Sequence, residues 1–102
     1  MNEYDVKHVS SLPSPALLFY RDEISKNIKK AIQIAGDVRR LRPHIKTHKT
    51  KEISEMAMEL GITKFKCATI AEAEMLAMIE APDVLLAYPL VGPNIERLLV
   101  LA

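Results

Sequence analysis

The side chains with most chemical potential crowd into one stretch, Arg39 to Lys51, which reads RRLRPHIKTHKTK. Three chemistries are open to it. Arg39, Arg40, Arg42, Lys46, Lys49 and Lys51 make it the most basic part of the chain, and such a patch can contact the phosphates of a nucleic acid. No aromatic residue interleaves with those charges for base stacking, and a solvated loop accounts for them equally well. His44 and His48 stand four apart, the spacing at which a helix face offers two imidazoles to zinc. Pro43 directly precedes His44, however, and a proline-bearing extended backbone spreads the rings apart. The third chemistry belongs to Lys46. If Leu41 to Lys46 is a strand, Arg42, His44 and Lys46 share one face and Leu41, Pro43 and Ile45 the other. Lys46 then stands at the C-terminal strand end, where parallel α/β proteins gather their catalytic groups. A lysine that forms a Schiff base must be available as the neutral amine, and neighbouring cations favour that form. Arg42, His44, His48 and Lys49 are the candidates. A surface lysine snorkelling into water is the plain alternative.

Those residues need elements to hold them, and the apolar pattern supplies a set. Residues 1–14 are polar, end in a proline-containing segment and read as an irregular lead-in. Ala16 to Tyr20 suits a short strand. Ile24, Ile28, Ala31, Ile32 and Ala35 recur at helical spacing, and Gly36 follows where a C-cap glycine belongs. After the Leu41–Lys46 strand, Ile53, Met56, Ala57 and Leu60 form a second helical face, stopped by Gly61. Residues 64–69 read as a strand. Thr69 and Glu72 have capping-box spacing and open a third helix, which Pro82 closes. Asp83 to Tyr88 is a nearly unbroken apolar run, expected for a strand buried on both faces. Gly92-Pro93 starts a last helix, with Ile95, Leu98, Leu99 and Ala102 on its apolar side. Strand and helix alternate throughout, which predicts an α/β fold of parallel strands and crossover helices.

Composition narrows the function classes. The 102 residues carry 14 basic and 13 acidic side chains, so global charge favours neither a nucleic acid nor an acidic partner. One cysteine, Cys67, excludes an internal disulfide, fits a cytoplasmic protein and reads as a small buried hydrophobe. No apolar run approaches the ~20 residues of a membrane span, and the first residues lack the apolar core of a signal peptide. The methionines on the helices read as core or surface filler. The chain stops inside an apolar helical pattern, Leu98 to Ala102, so a fragment of a longer protein is expected.

Four ordered segments carry a family resemblance. Arg42-Pro43-His44-Ile45-Lys46-Thr47-His48-Lys49 resembles the lysine segment of the D-threonine aldolase/D-serine dehydratase family, fold-type III pyridoxal-phosphate enzymes related to alanine racemase. Ser14-Pro15-Ala16-Leu17-Leu18 resembles that family's opening strand. Cys67-Ala68-Thr69 with Glu72-Ala73-Glu74 resembles its C-A-T-x-x-E-A-E segment, and Ala87-Tyr88-Pro89 with Val91-Gly92 its A-Y-P-x-[VL]-G segment. The match spans about residue 12 to residue 102. The K-A-N-A-Y-G segment of alanine racemase is absent, which sets the racemases further off, and Tyr20 stands where many relatives have aspartate.

The resemblance implies the start of an eight-stranded (βα)8 barrel, with residues 15–102 as its truncated N-terminal part. It implies pyridoxal 5'-phosphate bound through Lys46, with His44 and His48 expected to support that lysine. Tyr88 ends a strand, where it either faces the cofactor or packs at the strand end, and Thr69 reads as a helix cap before it reads as a cofactor contact. The implied reaction is that of a lyase on D-3-hydroxy amino acids. Aldol cleavage breaks Cα–Cβ after a base takes the hydroxyl proton; dehydration removes the Cα proton and expels the hydroxyl. Late barrel loops would hold the phosphate, and any divalent metal would be held by a C-terminal domain rather than by this chain. The expected partners are a D-amino acid and a second subunit, with no nucleic acid and no membrane. The isolated chain is expected to be inactive. An amino-acid racemase and a small basic binding module are the competing functions.

Overall fold

The computed structural model describes residues 3–102. Four helices, α1 Arg21–Ala35, α2 Lys51–Glu59, α3 Ile70–Met78 and α4 Pro93–Leu101, and two strands, β1 Lys64–Cys67 and β2 Asp83–Leu86, follow in the order α1-α2-β1-α3-β2-α4. The strands pair in parallel, Lys64 opposite Asp83 through Cys67 opposite Leu86. On the other side of β1, His44 forms a single parallel bridge with Lys66, and the Lys66 amide donates to the Pro43 carbonyl at 2.9 Å. Three extended segments thus run side by side in one direction, as the α/β expectation requires.

Side-chain alternation divides this sheet into two unlike faces. Ile45, Phe65 and Cys67 are all at most 1% exposed and form the core with Ala57, Ile62, Ala73 and Leu76. Ile28 and Ile32 of α1, Met58 of α2, Met75 of α3 and Leu101 of α4 pack against that cluster. The opposite face carries Arg42, His44, Lys64, Lys66, Asp83 and Leu85, and no described helix buries it. Cys67 is the buried hydrophobe its context suggests, and burial together with the Glu72 carboxylate pushes its thiol up. Met58 and Met75 fill the core, whereas Met78 is exposed.

The expected strands are shorter than their apolar runs, for reasons that can be named. Ala16 to Tyr20 forms no strand; Leu17 is 79% exposed. A strand exists only where a neighbour accepts its backbone hydrogen bonds, and none is offered among the described residues. Leu41 to Lys46 shrinks to the one bridge at His44. Pro43 has no N–H to donate, and the His44 side chain then caps a 3-10 turn, Ile45–Thr47, with Nδ1 accepting from the Lys46 amide at 3.2 Å. Lys46 therefore sits in a turn just past the bridge, not in a strand. β2 is a second correction. Its composition predicts burial on both faces, but β2 is the outer strand: Asp83 and Leu85 lie exposed on the uncovered face, and Val84, opposite Phe65, is itself 36% exposed.

Helix ends follow the local code. Asp22 and Glu23 occupy the first turn of α1, where they favour the helix dipole. Gly36 ends α1 at φ 81°, and its amide donates to the Ile32 carbonyl at 3.1 Å. That left-handed conformation is open to glycine without a side-chain clash. Pro93 stands in the first turn of α4. Before α1, the Tyr20 hydroxyl donates to the Tyr4 carbonyl at 3.0 Å, and the two rings meet edge to face at 5.2 Å.

Thr69 caps α3 through an interlocked set of bonds. Its Oγ1 accepts from the Glu72 amide at 3.1 Å and donates to Glu72 Oε2 at 2.7 Å, while Glu72 Oε1 accepts from the Ala68 amide at 3.3 Å. Glu72 is 4% exposed, so these bonds are what satisfies a buried carboxylate. Thr69→Ala should cost about 1–2 kcal/mol, and Thr69→Ser should recover most of it. Urea unfolding of both variants measures this; an Ala variant as stable as the parent would show that the cap is idle.

Candidate active site

Parallel strands bring their C-terminal ends to one side, and the chain places three of its candidate residues there. Lys46 follows the His44–Lys66 bridge, Thr69 follows β1, and Tyr88 follows β2. The Lys46 side chain is exposed, and none of the three ion pairs among the described residues includes it. Ile45, immediately before it, is 1% exposed and anchors the turn in the core. The result is a primary amine held at a strand end by a buried neighbour.

Thr69 and Tyr88 line a shared groove of about 460 Å³, with Leu86, Val91, Asn94 and Arg97 among its other walls. Its size is in the range of small-molecule sites. The Thr69 hydroxyl is already engaged in the α3 cap, whereas Tyr88 is 68% exposed. Lys46, His44 and His48 are not part of its lining. Asn94 and Arg97 were not singled out from sequence; they arrive through the packing of α4 beside the strand ends, and no local motif marks them. A second cleft, about 490 Å³, lies between Phe19, α1 and α2 on the helical side and contains none of the candidates.

The two histidines act on the backbone. His44 Nδ1 accepts from the Lys46 amide, as above, and His48 Nδ1 accepts from the Thr50 amide at 2.9 Å. Burial lowers the His48 pKa, favouring the neutral ring that can accept this bond. The described residues contain no group of three or more histidine, cysteine or acidic side chains able to hold a metal.

Arg42 departs from its expected role as a cation beside Lys46. Its Nη1 donates to the Phe65 carbonyl at 3.1 Å and to Asp83 Oδ1 at 2.7 Å. Asp83 is the first residue of β2, so Arg42 serves the N-terminal ends of the strands, opposite Lys46. Arg39 is likewise paired, with Asp37 at 2.8 Å. The basic run is thus partly neutralised within the chain.

The Arg42 guanidinium holds the Asp83 carboxyl below its ordinary range, mainly through the hydrogen bond. A carboxyl depressed in the folded state adds stability above its unfolded pKa, and that contribution disappears as pH falls through the folded value. Asp83→Asn should therefore flatten the stability profile below about pH 4, as read from thermal melts across that window. An unchanged acid limb would show that the pair does not contribute.

Fold and site together describe a helix-backed parallel sheet with an exposed amine at its C-terminal end. A solved point-mutant structure of D-threo-3-hydroxyaspartate dehydratase is similar: it superposes with a TM-score of 0.79 at 27% identity over 89% of this chain. The chain spans 24% of that enzyme's length. Neither a scan against protein-family models nor a search of curated proteins finds a match. No helix among the described residues is long and apolar enough to cross a membrane.

Proposed function

We propose that this chain is the cofactor-anchoring first part of a pyridoxal-phosphate lyase acting on D-3-hydroxy amino acids, of the D-threonine aldolase or D-serine dehydratase type. The observation that carries the reading is the exposed Lys46 amine, in no ion pair among the described residues and held at the C-terminal end of parallel segments by buried Ile45. Likeness to a dehydratase of a D-3-hydroxy amino acid supports the substrate class. In this reading residues 15–102 begin a (βα)8 barrel, and the uncovered face with Arg42, His44 and Lys66 is its interior.

The residues fit the cofactor on chemical grounds. Lys46 offers a primary amine to its aldehyde, and the exposed Tyr88 ring offers an apolar surface and a hydroxyl at the same strand ends. When bound, the pyridinium ring supplies an electron sink at the substrate's Cα. The chain's own part is to hold that group through Lys46. The Lys46 amine would also be placed to act as a base for the substrate's Cα or hydroxyl proton. The phosphate would be held by later parts of the barrel, and a divalent metal by residues outside this chain. A second subunit and a cytoplasmic setting complete the proposal.

The test is to incubate the protein with pyridoxal phosphate, reduce with borohydride and map the modified lysine by peptide mass. Lys46 should be modified ahead of the eight other lysines. Uniform labelling, or labelling centred on Lys49, would refute the assignment. In a polypeptide that completes the barrel, D-threonine and D-threo-3-hydroxyaspartate then separate the outcomes: aldol cleavage releases glycine and an aldehyde, dehydration a 2-oxo acid and ammonia.

A further inference from the structure

Just past the 3-10 turn that carries Lys46 stands an energetically disfavoured residue. Lys49 adopts φ 51°, a left-handed conformation that L side chains avoid. Such a conformer persists only where surrounding bonds over-determine it, and here those bonds can be named. The Lys49 amide donates to the Ile45 carbonyl at 2.8 Å. Across Lys49, Thr50 donates two bonds to His48: its amide to His48 Nδ1 at 2.9 Å and its Oγ1 to the His48 carbonyl at 2.7 Å. Thr50 is tied in turn to α2, where the buried Ser54 hydroxyl donates to the Thr50 carbonyl at 3.1 Å. The turn is therefore fastened to the core at Ile45 and to α2 through Thr50, with Lys46 between.

We propose that His48 is a positioning residue: by accepting the Thr50 amide at Nδ1 it holds Lys49 left-handed and so fixes the turn that presents the Lys46 amine. This rests on the reading of Lys46 as the reactive amine. The ring's role here is that of a hydrogen-bond acceptor at the δ position, and it calls for neither a proton transfer nor a metal. An asparagine places Oδ1 at nearly the same point and accepts the same N–H, as asparagine side chains do in turns. Alanine cannot.

The experiment compares the wild-type chain with His48→Asn and His48→Ala. One readout is the rate of borohydride-trapped modification of Lys46 by pyridoxal phosphate, normalised to Lys66 in the same sample. The other is the Thr50 amide resonance and the Lys49 backbone coupling by NMR, which report the turn without any cofactor. In His48→Ala the competent turn becomes a minor conformer, and the normalised rate at Lys46 should fall about tenfold. The Thr50 amide should shift, and Lys49 should lose its left-handed coupling. His48→Asn should keep the rate within about twofold of wild type and retain the coupling, a rescue that general destabilisation would not produce. The inference is overturned if His48→Ala leaves the rate and the coupling unchanged, or if His48→Asn falls as far as His48→Ala. Absence of preferential Lys46 modification in the wild type would instead refute the reading of Lys46, while the NMR comparison still decides whether His48 holds the turn.

Discussion

Lys46→Ala should reduce pyridoxal-phosphate trapping to the background of the remaining surface lysines, whereas Lys49→Ala should leave the Lys46 signal in place. Both lysines lie in one basic run and both are exposed, so exposure alone does not separate them. Their backbones do. Lys46 follows buried Ile45 inside the 3-10 turn at the end of the extended segment, whereas Lys49 lies beyond that turn in a left-handed conformation. In a polypeptide that completes the barrel, loss of the covalent anchor should lower turnover by at least about 10³-fold, the scale on which removal of a covalent catalyst is felt. Peptide mapping and the visible imine absorbance measure the first effect, and release of glycine or of a 2-oxo acid measures the second. Retention of the absorbance in Lys46→Ala and its loss in Lys49→Ala would reverse the roles of the two lysines.

Phe65→Ala should come close to unfolding the chain. Phe65 is 1% exposed, lies on the central segment of the sheet and belongs to the cluster of Ile45, Cys67 and Leu76. Removing a buried phenyl ring sacrifices its transfer free energy and leaves a cavity, together about 3–5 kcal/mol. Net stabilities of small domains are about 5–15 kcal/mol. A chain whose sheet is covered on one face belongs near the lower end, so the loss is comparable with the whole. Val100→Ala, on the outer side of α4 at 87% exposure, should change stability by under about 0.5 kcal/mol. Urea unfolding followed by circular dichroism compares the two. A Phe65→Ala midpoint near that of Val100→Ala would show that the cluster around Phe65 does not hold the fold.

Local rules read from the sequence account for all four helices, and for good reason. The spacing of Ile28 and Ile32, the glycine after Ala35, the Thr69–Glu72 pair and the proline at the start of α4 each act within a few residues, where one-dimensional spacing is already geometry. The α/β class follows from their alternation with apolar runs, and the unusual density of lysine and histidine between Arg42 and Lys49 marks the candidate site without any structure. Strand lengths and burial were less legible. The Ala16–Tyr20 run has strand composition but no ladder, and Asp83–Leu86 has core composition but an open face. Both outcomes depend on what lies beside the backbone, which composition does not encode. The partners of the basic residues were equally hidden. Arg42 and Lys46 would share one face of an ideal strand, yet Arg42 reaches Asp83, 41 positions away, and Lys46 leaves the strand in a turn capped by His44. Only the tertiary structure decided that Arg42 is paired and that Lys46 is left exposed, because the Arg42–Asp83 pair joins residues distant in sequence and depends on strand register, the one quantity that a single apolar pattern does not specify.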